Sequence, residues 1–354
     1  MDDSHQPYPM AAAPSDSIGR LAELISGDPA NRLDADMKHV LDRLGEIGAR
    51  PLEMLTPDAA RRQPRAAEAI AAILGQQSRE RPDDGVAVED IAVAGADGEL
   101  PARLYRPAGL LSRLNPMVLY FHGGGFVTGD LDSHDASARA LARRTGAIVM
   151  SLAYRLAPEH KFPAAHDDAW AAWRWLADNA GKLAGDPRRL AVAGEDAGAN
   201  LAVHVALTAR DARGIQPVHQ LLIHPIAGGD LATPSYGEML RARPIGLPAM
   251  RWRYRHLFED EAGLADSRIN LVSRDDLAGV APATVVLAEI DPLRSEGEAF
   301  AEALEAAGVP VNCWTYHGVT QGFFGLGLVV TKALFAQSDA ADALSKAFTP
   351  KRQS

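Results

Sequence analysis

Cysteine is nearly absent: Cys313 is the single thiol among 354 residues. One thiol makes neither an intramolecular disulfide nor a zinc site alone, so it reads as a small buried apolar side chain in a chain suited to a reducing compartment. Long apolar runs are missing too. Nowhere do roughly 18 consecutive apolar residues occur, which excludes a membrane-spanning helix by length. The acidic, polar first residues lack the basic segment and apolar stretch of a secretory leader, and cytoplasmic residence is the expectation. Basic charge is short as well. Lys and Arg number 36 against 46 Asp and Glu, a formal net charge of −10 that repels polyanions and argues against a nucleic-acid partner. No Gly-rich dinucleotide or triphosphate fingerprint and no His-Glu-x-x-His follows the expected elements, so no cofactor and no metal are expected.

What is present describes a globular α/β protein. Hydrophobic residues make up 47% and charged residues 23%, enough apolar surface for a large core and too much for wholesale disorder. Residues 1–17 are rich in Pro, Ser, Ala and Asp and read as disordered. Residues 18–84 carry apolar side chains such as Leu33, Met37, Val40 and Leu44 at helical spacing, and read as helices outside the sheet. From residue 85 to 350 the pattern becomes strand, loop, helix. A hairpin is expected over 86–93 and 100–106, turning at Gly95 to Gly98. Apolar runs at 117–121, 147–153, 190–193, 221–223, 284–288 and 311–316 lack polar alternation, as strands covered on both faces do. Helical stretches at 133–145, 164–180, 197–211, 295–307 and 326–347 separate them, which implies a mostly parallel sheet with right-handed crossovers. The interruption at 228–271, with Trp252, Tyr254 and Phe258, suits a lid over a pocket.

Four places carry chemistry. His122-Gly123-Gly124-Gly125-Phe126 follows an expected strand, and three glycines there either form a tight turn or turn backbone N–H groups inward as an oxyanion hole. Gly194-Glu195-Asp196-Ala197-Gly198 stands between a strand and a helix, where Asp196 reads as a helix cap or as the side chain projected by a nucleophile elbow. Asp291-Pro292-Leu293 closes a late strand, and Asp291 suits either a cap or a triad acid. The fourth, 316–324, is read as the loop after the last strand and holds His317 and Gln321.

In this order the motifs resemble those of hormone-sensitive-lipase-like carboxylesterases over roughly residues 33–347. The carriers are the 122–126 stretch, Tyr154 to Ala165 followed by Asp167-Asp168, the 194–200 elbow, Asp291 to Arg294, and 317–324. The resemblance implies an α/β-hydrolase fold with helices on both faces and a helical cap. It also implies Gly124, Gly125 and Ala197 as oxyanion donors, His122 as a support for that loop, and allows a homodimer. Two departures define the chain. Asp196 stands where the family has the serine nucleophile, and Gln321 where it has the histidine base; only the acid, Asp291, keeps its type. No hydroxyl attacks and an amide does not titrate, so ordinary serine-esterase chemistry is expected to be absent. The sharp expectation is that Asp196 acts as nucleophile or base, with His317 or Asp291 handling the proton and Gln321 orienting substrate or water. A ligand-binding protein without catalysis, or a lyase, dehydratase or isomerase using the oxyanion hole, stands beside it. Phe126, Glu195, Trp252 and Phe323 are expected to line a pocket for a small neutral, partly apolar molecule.

Overall fold

The computed structural model describes residues 27–76, 85–110 and 114–349. The expectation of disorder over 1–17 lies outside these residues, as do parts of 18–84. Three helices come first: α1 (Ala35–Glu46), α2 (Pro57–Arg62) and α3 (Ala66–Gln76). Strands β1 (Val86–Ala94) and β2 (Glu99–Pro107) form the expected hairpin, Ala94 opposite Glu99. Thereafter come β3 (Asn115–Phe121), α4 (Asp135–Thr145), β4 (Ile148–Leu152), α5 (Ala164–Asn179), β5 (Gly185–Glu195), α6 (Ala197–Asp211) and β6 (Gln220–Ile223). The 228–271 interruption holds the short α7 (Pro234–Glu238) and α8 (Leu247–Leu257). The chain then returns through β7 (Ala283–Ile290), α9 (Arg294–Ala306), β8 (Val311–Thr320) and α10 (Thr331–Phe348).

The eight strands form one sheet in the order β1-β2-β4-β3-β5-β6-β7-β8. β2 pairs antiparallel with β1 and β4, and every pairing from β4 to β8 is parallel. Strand β3 shows why the sheet sits centrally. Its residues 117–121 are all fully buried, with Met117, Leu119 and Phe121 in one core and Val118 and Tyr120 in the other. Side chains alternate across a strand, so such an apolar run is stable only where both faces are covered. One core joins the sheet to α5, α6 and α9 through Trp173, Leu201 and Phe300; the other joins it to α4 and α10 through Leu141 and Leu344.

Two departures from the sequence reading matter for the site. Strand β8 continues to Thr320 through an irregularity between Ala288 and Ile290 of its neighbour, with Gly318 at φ +73°. A Cβ at Gly318 would meet Asp34 Oδ1 at 2.4 Å, and Asp34 N donates to Gly318 O at 2.9 Å, so the chain ahead of α1 docks on this bulge. His317 therefore lies on a strand and not in the loop. Cys313, read as buried, is exposed, because β8 is an edge strand.

Candidate active site

The site forms where β3, β5, β6 and β7 end. After Phe121 the chain turns through His122 to Gly125, and each turn residue is held. Tyr154 Oη donates to His122 O at 2.7 Å, while Gly123 N donates to His134 Nε2 at 3.1 Å. Gly124 adopts φ +121°, and a Cβ there would lie 2.1 Å from Thr128 O, so no other residue fits this turn. The loop aims two amides outward from the sheet end.

Facing it is the elbow between β5 and α6. Asp196 has φ +55° and ψ −115°, a strained conformation for a residue with a side chain. Backbone bonds hold it there: Asp196 N donates to Ile223 O at 2.9 Å, and Ile226 N donates to Asp196 O at 3.2 Å. The bend needs small neighbours. A Cβ at Gly194 would meet Gly198 C at 2.2 Å, and one at Gly198 would meet Phe121 O at 2.0 Å.

The Asp196 carboxylate is buried and fully engaged. Its Oδ2 accepts from Gly124 N at 2.9 Å and Gly125 N at 2.7 Å. Its Oδ1 accepts from Gln321 Nε2 at 3.0 Å and Arg253 Nη1 at 3.2 Å. Ala197, the third expected donor, opens α6 directly after it and is buried. Four donors, one cationic, thus surround a single anion, so its charge is met by hydrogen bonds on both oxygens.

Asp291 and Gln321 lie in the same buried region. Asp291 Oδ1 accepts from Leu293 N at 2.8 Å, while Oδ2 is buried without a hydrogen-bond partner. Burial pushes this carboxyl up to about 6, against the opposing influence of His224. Gln321 Oε1 is likewise buried and unpartnered. Around the elbow runs a second set of titratable groups. Glu195 accepts from Tyr120 Oη at 2.7 Å and stands 3.6 Å from His224 Nε2. Although burial works against its charge, the His224 and His134 rings beside it hold Glu195 at about 2, and Glu195 in turn raises His224 above its ordinary value despite desolvation.

Other expected positions lie elsewhere. His317 is exposed on β8, with Nδ1 3.5 Å from Glu289 Oε2 and its carbonyl bonded to Lys332, and the structure does not bring it to Asp196. Phe126 packs in the core, stacked on His166 at 5.5 Å. Phe323 is buried against Tyr316, and Trp252 ties α8 to the chain ahead of α2 through Nε1 to Leu55 O at 2.9 Å. Of the four expected pocket residues, Glu195 lines a cavity. That cavity, of about 670 Å³, runs beside α1 and α3 and also reaches Gln321. A second, of about 540 Å³, ends at Gly124 and Arg253. A wider cleft of about 1160 Å³ lies at the opposite end of the sheet, around His219 and Trp314, and belongs to a different region.

Sequence reasoning missed Arg253 and His224. A signal for Arg253 existed: Met250, Arg253 and Leu257 share the inward stripe of α8, so a charge stands where the helix period calls for an apolar side chain.

With this geometry in view, comparison with known proteins is direct. A family model described as alpha/beta hydrolase fold matches residues 118–325. Carboxylesterase NlhH of Mycobacterium tuberculosis H37Rv is 41% identical over 259 residues, 72% of this chain and 81% of the relative. The ethyl acetate hydrolase of Pseudomonas putida is 36% identical over 286 residues, covering 80% and 88%. Among solved structures, the Pyrobaculum calidifontis esterase superposes with a TM-score of 0.77 at 34% identity, covering 89% of this chain and 98% of that one. The chain belongs to the α/β-hydrolase family, in its hormone-sensitive-lipase-like carboxylesterase branch.

Proposed function

We propose that this chain is a small-molecule-binding member of the carboxylesterase family that does not turn over acyl esters by the serine route. One observation carries the reading: both oxygens of Asp196 are occupied, one by the two loop amides and the other by Arg253 and Gln321. A tetrahedral oxyanion would need the amides that this carboxylate already holds. No hydroxyl is present to attack at 196, and Gln321 cannot accept a proton.

The test is reversion. The double variant Asp196→Ser/Gln321→His restores a hydroxyl and an imidazole beside an acid and an amide loop that are still present. It is expected to hydrolyse p-nitrophenyl acetate at least about 100-fold faster than the natural chain, with either single change giving far less, since triad members act as a unit. Brisk ester turnover by the natural chain would overturn the proposal.

A second reading has an observation in its favour. A carboxylate with one oxygen on backbone amides can attack an alkyl halide or epoxide carbon with the other. The new C–O bond forms as halide departs with its bonding pair, or as the epoxide C–O bond opens and its oxygen takes a proton from water, leaving hydroxide. With Gln321 in place of a base the alkyl ester has no route to hydrolysis. Intact-protein mass spectrometry after incubation with alkyl halides and epoxides reads it directly: a stoichiometric adduct on Asp196 favours this reading, an unchanged mass the first.

A further inference from the structure

Charge is unevenly distributed in this molecule. The chain as a whole carries −10, yet the cavity of about 540 Å³ that ends at Gly124 and Arg253 is walled by Arg50, Arg61, Arg65, Arg243 and Arg253, with Asp130 as its one acidic lining residue. Ion pairs reduce this charge without cancelling it. Arg65 holds Asp130 at 2.7 Å, Arg61 holds Glu159 at 2.7 Å, and Arg253 faces Asp196 at 3.2 Å. Arg50 and Arg243, both exposed, make no ion pair among the described residues. Five guanidiniums against three carboxylates leave two positive charges. In a cleft with low-dielectric walls such an excess attracts anions despite the opposite sign of the whole.

Arg253 is also underused. It meets Asp196 through Nη1 alone, whereas a guanidinium fork favours two parallel bonds. Its Nε is buried and has no hydrogen-bond partner. That atom lies over the loop, 2.6 Å from where a Cβ on Gly125 would stand, so the unfilled edge is at the inner end of the cavity. The remaining wall carries the aliphatic side chains Leu41, Leu44, Leu52, Leu156 and Ile245, with Gln63, Thr128, Ser133 and His134 as its uncharged polar members.

We propose that this cavity binds a small amphiphilic anion, a carboxylate or phosphate monoester on an aliphatic body, with its head on Arg253 and Arg243 and its body along the leucine wall. The ligand class thus departs from the neutral molecule expected from sequence. It deepens the reading of a binding site, and rests on that reading only for the absence of turnover.

Isothermal titration of the full chain with octanoate and octyl phosphate, against octanol and methyl octanoate as uncharged counterparts, tests it. At least one anion is expected to bind about tenfold or more tighter than octanol. The gap should narrow as salt rises from about 0.05 M to about 0.5 M. The tighter of the two anions identifies the head group. Arg243→Gln, a surface change that leaves the core intact, should weaken anion binding several-fold while leaving octanol unaffected, and Arg253→Gln should weaken it further. Equal affinity for octanol and both anions, or anion affinity indifferent to Arg243→Gln, overturns the proposal. Release of octanoate from methyl octanoate would instead overturn the absence of turnover and leave the anion preference standing.

Discussion

Aspartate at the elbow puts a formal charge where the resemblance leads one to expect a neutral hydroxyl, and the surroundings show how that charge is tolerated. Asp196 and Arg253 are each less than 5% exposed. Breaking a buried pair by removing one charge leaves the other uncompensated, which costs about 3–5 kcal/mol. Asp196→Asn is therefore expected to lower unfolding stability by about that amount in urea titrations. Gln321→Ala, which removes one hydrogen bond, should cost about 1–2 kcal/mol. The double variant Asp196→Asn/Arg253→Met should recover part of the loss, because it removes both charges. Additive losses in that cycle would show that the pair is not coupled. At this scale the sequence displayed Asp196, Gln321 and Asp291 plainly, since each stands inside a recognisable string. Arg253 was hidden because its partner is 57 residues away, and only a charge on the apolar stripe of α8 hinted at it.

Elements place these residues, and most were legible. Strand β3 and helix α6 match the apolar run and the helical stretch read from sequence, because neighbouring glycines and small residues punctuate them. Strand β8 was read too short. Gly318 looked like the start of a loop, but it is a bulge position on which Asp34 docks, a contact that no local pattern announces. His317 consequently belongs to the exposed edge of the sheet. The elbow's tightness gives an element-scale expectation. Gly198→Ala forces a methyl against Phe121 O, and backbone cannot yield as a side chain tip does. A loss of about 3 kcal/mol or more, or failure to fold, should appear in thermal melts. Gly181→Ala, where a Cβ meets nothing within 4 Å, serves as the neutral control.

For the whole molecule, buried titratable groups set a pH window. Burial holds His122, His204 and His219 at about 4 and His166 at about 3, below the ordinary 6.5. The unfolded chain binds those protons first, so stability falls as pH drops below about 6.5. Glu296 works in the other direction. Burial raises it to about 8 from 4.5, so the folded chain holds a proton that the unfolded chain has released. Raised His224 acts in the same sense, its contribution fading as pH climbs through its folded value. Above 6.5 these two dominate and stability declines. Stability in equilibrium unfolding should therefore peak at about pH 6.5, with Glu296 alone accounting for a loss of roughly 1–2 kcal/mol by about pH 8. Glu296→Gln, which keeps an acceptor for Ala227 N, should flatten the alkaline side. An unchanged slope in that variant would assign the decline to other groups.

The carboxylate lodged on Gly124 and Gly125 has a practical corollary for anyone searching cell extracts by reactivity. Fluorophosphonate reagents find hydrolases of this fold by phosphonylating a serine whose developing negative oxygen those same amides would receive. Here the berth is filled by the Asp196 side chain itself, so such a survey is expected to pass over this protein, and diazo compounds and other reagents that esterify carboxylates are the ones suited to detect it.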